Sequence, residues 1–386
     1  MSRKRNVMLV RKIASLHNPY PCLTKNHLLF PVGRGDALDV TRSTPAKEGY
    51  SMPAEWERHE ATWISWPHPS GASFPSAYHR VVPAFVEMVK ALAESEIVRI
   101  NVRNTEQEAE VRALLGDGLP GSLEFFHVPT NEPWCRDHGP IFLKRRERPR
   151  LAAVNFGFNA WGYKLSPFEE DDAAAMLIAE KIGVPVFDFG EFVLEGGSID
   201  VNGQGTVLTT EACLLNPNRN PDLSREQIEA NLREFLGVTQ VLWLGDGIEG
   251  DDTDGHVDDI ARFVSPNTVV TVVEEDEDDL NYEPLELNFQ RLRTMQLSNG
   301  SPLHVLKLPM PSRITREGQR LPASYANFYV ANTVVLLPAY HDTNDAWAAS
   351  VMKEAFPGRK IVPIDCRELI WGLGAFHCLT QQQPAA

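Results

Sequence analysis

The sequence is short of positive charge: 37 Lys and Arg stand against 52 Asp and Glu, for a formal net charge of -15. So acidic a chain is repelled by phosphate backbones, which excludes nucleic acid as the expected partner and favours cations. Long apolar runs are also lacking. No stretch reaches the roughly 20 residues that cross a bilayer as a helix, so no membrane partner is expected. Cysteine is sparse, and the five (Cys22, Cys135, Cys213, Cys366, Cys378) are scattered. They form no Cys-x-x-Cys pair and no zinc-type spacing, which leaves a reducing, cytoplasmic location as the simplest expectation. Acidic residues are themselves missing at one end. Between Met1 and Gly35 there are none, against Arg3, Lys4, Arg5, Arg11, Lys12, Lys25 and Arg34. The apolar stretch 7–10 is cut short by Arg11-Lys12, so it is no secretory signal. The composition is that of a transit peptide; the preferred reading is a disordered basic tail, or a start placed too early. The expected division is a tail over 1–48 and a single catalytic domain over 49–386.

What is present is a large core fraction, 43% hydrophobic residues, and a repeat. A β-rich run, a helical segment and a second β-rich run recur. The clearest copy is Thr206-Val207-Leu208-Thr209-Thr210, then a helix over 224–236, then Gln240-Val241-Leu242-Trp243-Leu244. Ser224 with Gln227 three residues on makes a capping box, and Gly237 a stop. Further copies begin at Asn267 and Asn332, and weaker ones at Ala61 and Leu151. That makes about five βαβ-like units with only loops between them. Repeats that cannot bury a core alone are expected to pack together, so one α/β domain is expected.

The unusual stretches all fall between one unit's second strand and the next unit's first. They are Asn131-Glu132-Pro133-Trp134-Cys135-Arg136-Asp137-His138-Gly139-Pro140, Leu194-Glu195-Gly196-Gly197-Ser198-Ile199-Asp200, the acidic run 251–259, Ser324-Tyr325-Ala326-Asn327-Phe328-Tyr329, and Gly372-Leu373-Gly374-Ala375-Phe376-His377-Cys378. If the units surround an axis, these connectors converge. In the third, Asp252, Asp254, His256 and Asp258 alternate, and an extended chain would put them on one face. The plain alternative is a solvated acidic loop. A calcium loop fails, because with Gly255 in the glycine place the first and last ligand positions are Gly250 and Ala261. Two carboxylates and a histidine could hold a metal, but with no second histidine nearby catalysis ranks above it.

A lone cysteine is usually a small buried residue. Cys378 reads differently because acids in three other connectors would face it. Buried carboxylates call for a cationic ligand, and a guanidinium offers paired N–H donors that carboxylates accept. A thiolate can attack its electron-poor carbon. His256 would protonate departing ammonia and then activate water, with Glu195 orienting it. His377 is a poor base, since neighbours in an extended segment point apart. Cys135 is a rival nucleophile flanked by Trp134 and Arg136. Cys22, Cys213 and Cys366 read as structural. Asp137 has a bland alternative as an ion pair with Arg136, and Glu195 as a turn residue.

Together with Met52-Pro53-Ala54-Glu55-Trp56 and Asn216-Pro217-Asn218-Arg219-Asn220, the connector motifs resemble the agmatine deiminase family. That family belongs with the bacterial-type peptidylarginine deiminases in the guanidine-modifying, or pentein, superfamily. The likeness runs from about Tyr50 to the C-terminus. It implies a five-fold pseudo-symmetric α/β propeller of ββαβ units. It also implies hydrolysis of agmatine to N-carbamoylputrescine and ammonia, a step toward putrescine, through an amidino-cysteine and without metal or cofactor. Carried onto this sequence, it implies Cys378 as nucleophile, His256 as acid/base, Asp137 and Asp258 as the guanidinium pair, and Glu195 as the acid beside the histidine. Trp134, Asp252 and Asn327 are further expected substrate contacts, Asp252 near the amine tail. The run Gly372-Leu373-Gly374-Ala375 departs from the unbroken glycines of many relatives, and the basic tail falls outside the pattern. The partner expected is a small cationic guanidine, with self-association left open. Deimination of free or peptidyl arginine, amidino transfer to an amine, and a cation-binding protein without catalysis are the other readings. A Cys-His protease suits so many carboxylates poorly.

Overall fold

The computed structural model describes residues 43–386. Most of the basic stretch, Cys22 included, lies outside the described residues. Its last six residues, 43–48, do not stand apart from the domain. Thr44 is buried, its hydroxyl donates to Glu234 Oε2 at 2.5 Å, and Ala46 N donates to Glu234 O at 3.1 Å.

The fold is mixed α/β. Five sheets share one pattern, in which a first strand runs antiparallel to a second and the second runs parallel to a third across an intervening helix. In chain order the second strands are His59–Ser65, Leu151–Gly157, Thr206–Thr210, Thr268–Val273 and Val334–Ala339. Their parallel partners are Ile97–Val102, Val186–Val193, Gln240–Leu244, His304–Pro309 and Lys360–Asp365. Parallel neighbours need a crossover of this kind, and a helix supplies it. The helices are Tyr78–Leu92, Glu169–Ile182, Arg225–Leu236, Tyr282–Thr294 and Asp345–Ala355. The first sheet is completed by the far end of the chain, because Thr380–Pro384 pairs antiparallel with His59–Ser65. The strand that follows Cys378 is thereby fixed to the start of the domain.

Local chemistry accounts for these elements. Thr268–Val273 is β-branched throughout and almost wholly buried, as a strand covered on both faces should be. In Arg225–Leu236 the expected capping box forms between Ser224 and Gln227, and Gly237 ends the helix at φ +65°. Its Ile228, Leu232 and Phe235 are buried in an apolar cluster with Val207, Phe156 and Phe189. Among the described residues no helix is long and apolar enough to cross a membrane.

The connectors do what matters for function. Each leads straight into the first strand of a sheet: Ile141–Lys144, Asp200–Val201, Ala261–Ser265, Tyr329–Val330 and Thr380–Pro384. Four of them make a short helical turn just before it, at Cys135–His138, Gly196–Ser198, Val257–Asp259 and Phe376–Leu379.

Candidate active site

Because the turns occupy equivalent places, their side chains meet. Gly197 marks the meeting point. A Cβ there would lie 2.5 Å from His256 Nδ1, 2.8 Å from Asp137 Oδ1 and 3.0 Å from Asp258 Oδ2. Only a glycine lets three connectors approach so closely. Its amide donates to Asp137 Oδ1 at 3.0 Å, and Trp161 Nε1 donates to Asp137 Oδ2 at 3.0 Å. His256 Nδ1 lies 3.8 Å from Asp137 Oδ1. Cys378 Sγ is 3.6 Å from Asp258 Oδ2 and accepts from Asn327 Nδ2 at 3.0 Å. Asn327 Oδ1 collects the amides of Ala375, His377 and Cys378 at 3.2, 3.1 and 3.3 Å. Asn327 therefore holds the cysteine's turn; its expected use against substrate is not where its hydrogen bonds go.

The cluster opens onto a cleft whose lining includes Trp134, Asp137, Trp161, Asp252, Trp371 and Cys378. Among the described residues no lysine or arginine lines it. Trp134 is fixed by its indole donating to Ser73 Oγ at 2.8 Å.

The polar atoms here are incompletely paired. Both ring nitrogens of His256, Asp258 Oδ1 and Glu195 Oε2 are buried with no hydrogen-bond partner among the described residues. Burial opposes a charge on His256, but Asp137, the Cys213 sulfur and Glu195 outweigh it and hold its pKa well above the usual value. Asp137 is pushed up to about 6 by burial; the His256 charge opposes this, and Asp258 and Glu195 add to it. Burial, with Asp258, Asp259 and Asp137 adding, drives the Cys378 thiol pKa far up. Asp252 is raised to about 6 by burial and by Asp251. These shifts have one origin, several acids sharing a dry place with too little positive charge.

A second buried cluster lies behind the first, around Glu55. Its Oε2 takes Arg262 at 2.9 Å, Arg136 at 3.2 Å and His377 Nε2 at 2.9 Å. His377 Nδ1 meets Asp258 Oδ2 at 2.6 Å, and Arg262 also pairs with Asp200. Burial opposes the charge on Glu55, yet Arg262, His377 and Arg136 pull its pKa far below the usual range.

Several expectations are corrected by this arrangement. The run 251–259 is not extended: Asp254 and Gly255 turn at φ +66° and +89°, so alternation is lost. Asp254 leaves the site for Arg219 and Lys164, each at 2.8 Å. His377 sits in a helical turn, not an extended segment, and both its nitrogens are engaged away from the Cys378 sulfur. Arg136 pairs with Glu55 and Gln382, not with Asp137. Glu195 does lie by His256, but its Oε1 is taken by Arg219 at 2.6 Å. Cys135 is wholly buried and does not line the cleft, whereas Cys378 does, so it is not placed to meet substrate. Donor atoms of Glu195, Cys213 and His256 lie within 4.8 Å of one another, a spacing a metal could use. Arg219 already supplies positive charge to that glutamate.

Sequence reasoning missed Trp161 and Trp371, and it missed the roles of Glu55 and Arg219. Glu55 and Arg219 stood inside quoted motifs, Met52-Pro53-Ala54-Glu55-Trp56 and Asn216-Pro217-Asn218-Arg219-Asn220. Charged residues in otherwise apolar or amide-rich runs were the available signal.

The profile of the Porphyromonas-type peptidyl-arginine deiminase family matches residues 51–384. A Selenomonas ruminantium protein provisionally named an agmatine deiminase is 38% identical over 369 residues, covering 90% of this chain and 99% of that relative. The solved agmatine deiminase of Enterococcus faecalis has a TM-score of 0.83 at 36% identity, covering 90% of this chain and 99% of its own. A C. jejuni agmatine deiminase, solved as a cysteine-to-serine variant with substrate bound, has a TM-score of 0.79 at 34% identity, covering 86% of this chain and 96% of its own.

Proposed function

The chain belongs to the Porphyromonas-type peptidyl-arginine deiminase family, and from that premise we propose that it is an agmatine deiminase. It hydrolyses agmatine to N-carbamoylputrescine and ammonia. The observation that carries this reading is the set of buried acids around Cys378: Asp258 Oδ1 and Glu195 Oε2 have no partner among the described residues, and Asp137 is met by the Gly197 amide and the Trp161 indole, with His256 3.8 Å away. Buried carboxylate oxygens left without a partner are costly unless a cation arrives to meet them.

Asp137 and Asp258 accept the guanidinium N–H groups. The cation's charge offsets the acids that hold the Cys378 proton in place, so the thiol releases its proton to solvent as substrate binds and the thiolate forms. The sulfur attacks the guanidinium carbon. His256, charged at neutral pH, gives its proton to the leaving nitrogen, the C–N bond breaks and ammonia departs, leaving an amidino-cysteine. Neutral His256 then takes a proton from water and the oxygen adds to the same carbon; the C–S bond breaks, the hydroxyl proton is shed as the product carbonyl forms, and the sulfur takes up a proton again. Glu195 and Asp137 favour the charged form of His256. Asp252 and the walls formed by Trp134, Trp161 and Trp371 suit an aliphatic chain ending in an amine. A carboxylate tail would need a cation; among the described residues the cleft lining supplies no lysine or arginine, and the nearby Lys164 ammonium is engaged by Asp254 at 2.8 Å and by the Asp252 carbonyl.

The five equivalent sheets support a five-fold propeller with the site on its axis, within one catalytic domain. A cytoplasmic location and self-association belong to the same proposal. Comparison of kcat/KM for agmatine, arginine and a peptidyl-arginine tests the substrate. Agmatine is expected to lead by at least tenfold; a preference for either arginine would refute the assignment.

A further inference from the structure

After the strand Leu151–Gly157 the chain does something L-residues avoid. Ala160, Trp161, Gly162 and Tyr163 take φ of +52°, +56°, +90° and +64°, one turn of left-handed helix. Three of the four carry side chains, and each is strained in that region. Such strain persists only where the surroundings over-determine it. Here they do. Asn159 Oδ1 accepts from Gly162 N at 2.8 Å, and Asn159 Nδ2 donates to Asn218 O at 2.9 Å. A Cβ on Gly162 would lie 2.4 Å from Asn218 Nδ2. Asn218 Nδ2 in turn donates to Asp254 Oδ2 at 2.9 Å, on the loop that carries His256.

What the turn delivers is one indole. Trp161 is 5% exposed, stands edge-on to Phe158 with ring centres 5.2 Å apart, and donates to Asp137 Oδ2. Its counterpart on Asp137, among the described residues, is the Gly197 amide on Oδ1. The acids around Asp137 favour its protonation and the cationic groups oppose it. Asp258, Glu195 and Cys378 face it from three other connectors. Cys135, Arg136 and His138 share its own turn, His377 lies on the turn Phe376–Leu379 packed against it, and Asp171 lies on the packed helix Glu169–Ile182. Arg136 and His377 are turned to Glu55, and His256 is 3.8 Å away.

We propose that Trp161 is a positioning residue for Asp137, and that the strained turn exists to deliver the indole N–H that keeps this carboxylate charged and aimed for substrate. The proposal rests on Asp137 holding the guanidinium, as argued above. The sign follows directly. Asp137 has a raised pKa of about 6, and binding a cation needs its charged form, so activity is lost as pH falls through that value. Removing a donor to the charged form raises the pKa further.

The test is the pH profile of kcat/KM for ammonia release from agmatine. It compares the wild type, Trp161→Phe, and a protein with benzothienyl-alanine at position 161, which keeps the bicyclic shape and lacks the N–H. In both variants the acid limb is expected to move up by about one pH unit, so that the loss grows as pH falls. An unchanged limb with activity lowered equally at every pH overturns the proposal and leaves Trp161 as packing. Should Trp161→Phe fail to fold by circular dichroism, the benzothienyl protein decides alone. A wild type that releases no ammonia overturns the agmatine reading itself, and the wild-type arm tells that failure apart.

Discussion

Two buried charge clusters lie side by side and are built on opposite rules. Around Glu55, one carboxylate oxygen meets Arg262, Arg136 and His377, and Asp200 shares Arg262. Around Cys378, Asp137, Asp258 and Glu195 crowd about His256; Arg219 and His377 take one oxygen each of Glu195 and Asp258, but Glu195 Oε2, Asp258 Oδ1 and both His256 ring nitrogens have no hydrogen-bond partner among the described residues. His377 joins the two, with one nitrogen on Glu55 and the other on Asp258. The difference teaches which cluster is scaffold. A satisfied ionic network fixes the chain that carries it, whereas an unsatisfied one stores an affinity for a cation that is not part of the protein.

That contrast can be broken by mutation. Replacing a member of the unsatisfied cluster should cost activity and little stability. His256→Asn is expected to lower kcat by roughly 10²–10⁴-fold while its urea midpoint falls less than that of Glu55→Gln, because the ring is held by the pull of Asp137, the Cys213 sulfur and Glu195 and not by close ion pairs on both nitrogens. Replacing a member of the satisfied cluster should do the reverse. Glu55→Gln leaves Arg136, Arg262 and His377 short of their shared anion and is expected to cost about 3–5 kcal/mol in urea unfolding. The pH sign is checkable as well. Glu55 has a lowered pKa in the fold, so its stabilisation is full above the ordinary carboxylate range and drains away as pH falls through the folded value. Glu55→Gln should therefore show a shallower acid loss of stability than the wild type. If His256→Asn unfolded the protein, or Glu55→Gln left it fully stable, the division into scaffold and site would be wrong. The smallest expected effect is the shift of the acid limb on removing the Trp161 donor, which reads how finely one member of the unsatisfied cluster is tuned.

Much of this was legible in the sequence, for identifiable reasons. Strands such as Thr268–Val273 and the capped helix Arg225–Leu236 follow local rules, so their order and spacing could be read directly. The repeat then placed Asp137, Glu195, His256, Asp258 and Cys378 in equivalent connectors, and the structure brings those side chains together. What could not be read was direction inside a connector. Asp254 differs from Asp252 and Asp258 only by a backbone turn, and positive φ at Asp254 and Gly255 sends it to Arg219. Trp161 escaped because four consecutive left-handed residues have no periodic signature. Glu55 escaped because its partners come from connectors far along the chain, and Arg136 read as a possible partner of Asp137 for the same reason.

The most direct measurement is intact-mass spectrometry of enzyme quenched during turnover of agmatine, paired with ammonia release, for the wild type and for Cys378→Ala. The account predicts an amidino adduct that maps to Cys378 in the wild type, and neither adduct nor ammonia from Cys378→Ala. Ammonia released by Cys378→Ala at a substantial rate, or an adduct mapped to another cysteine, would contradict it.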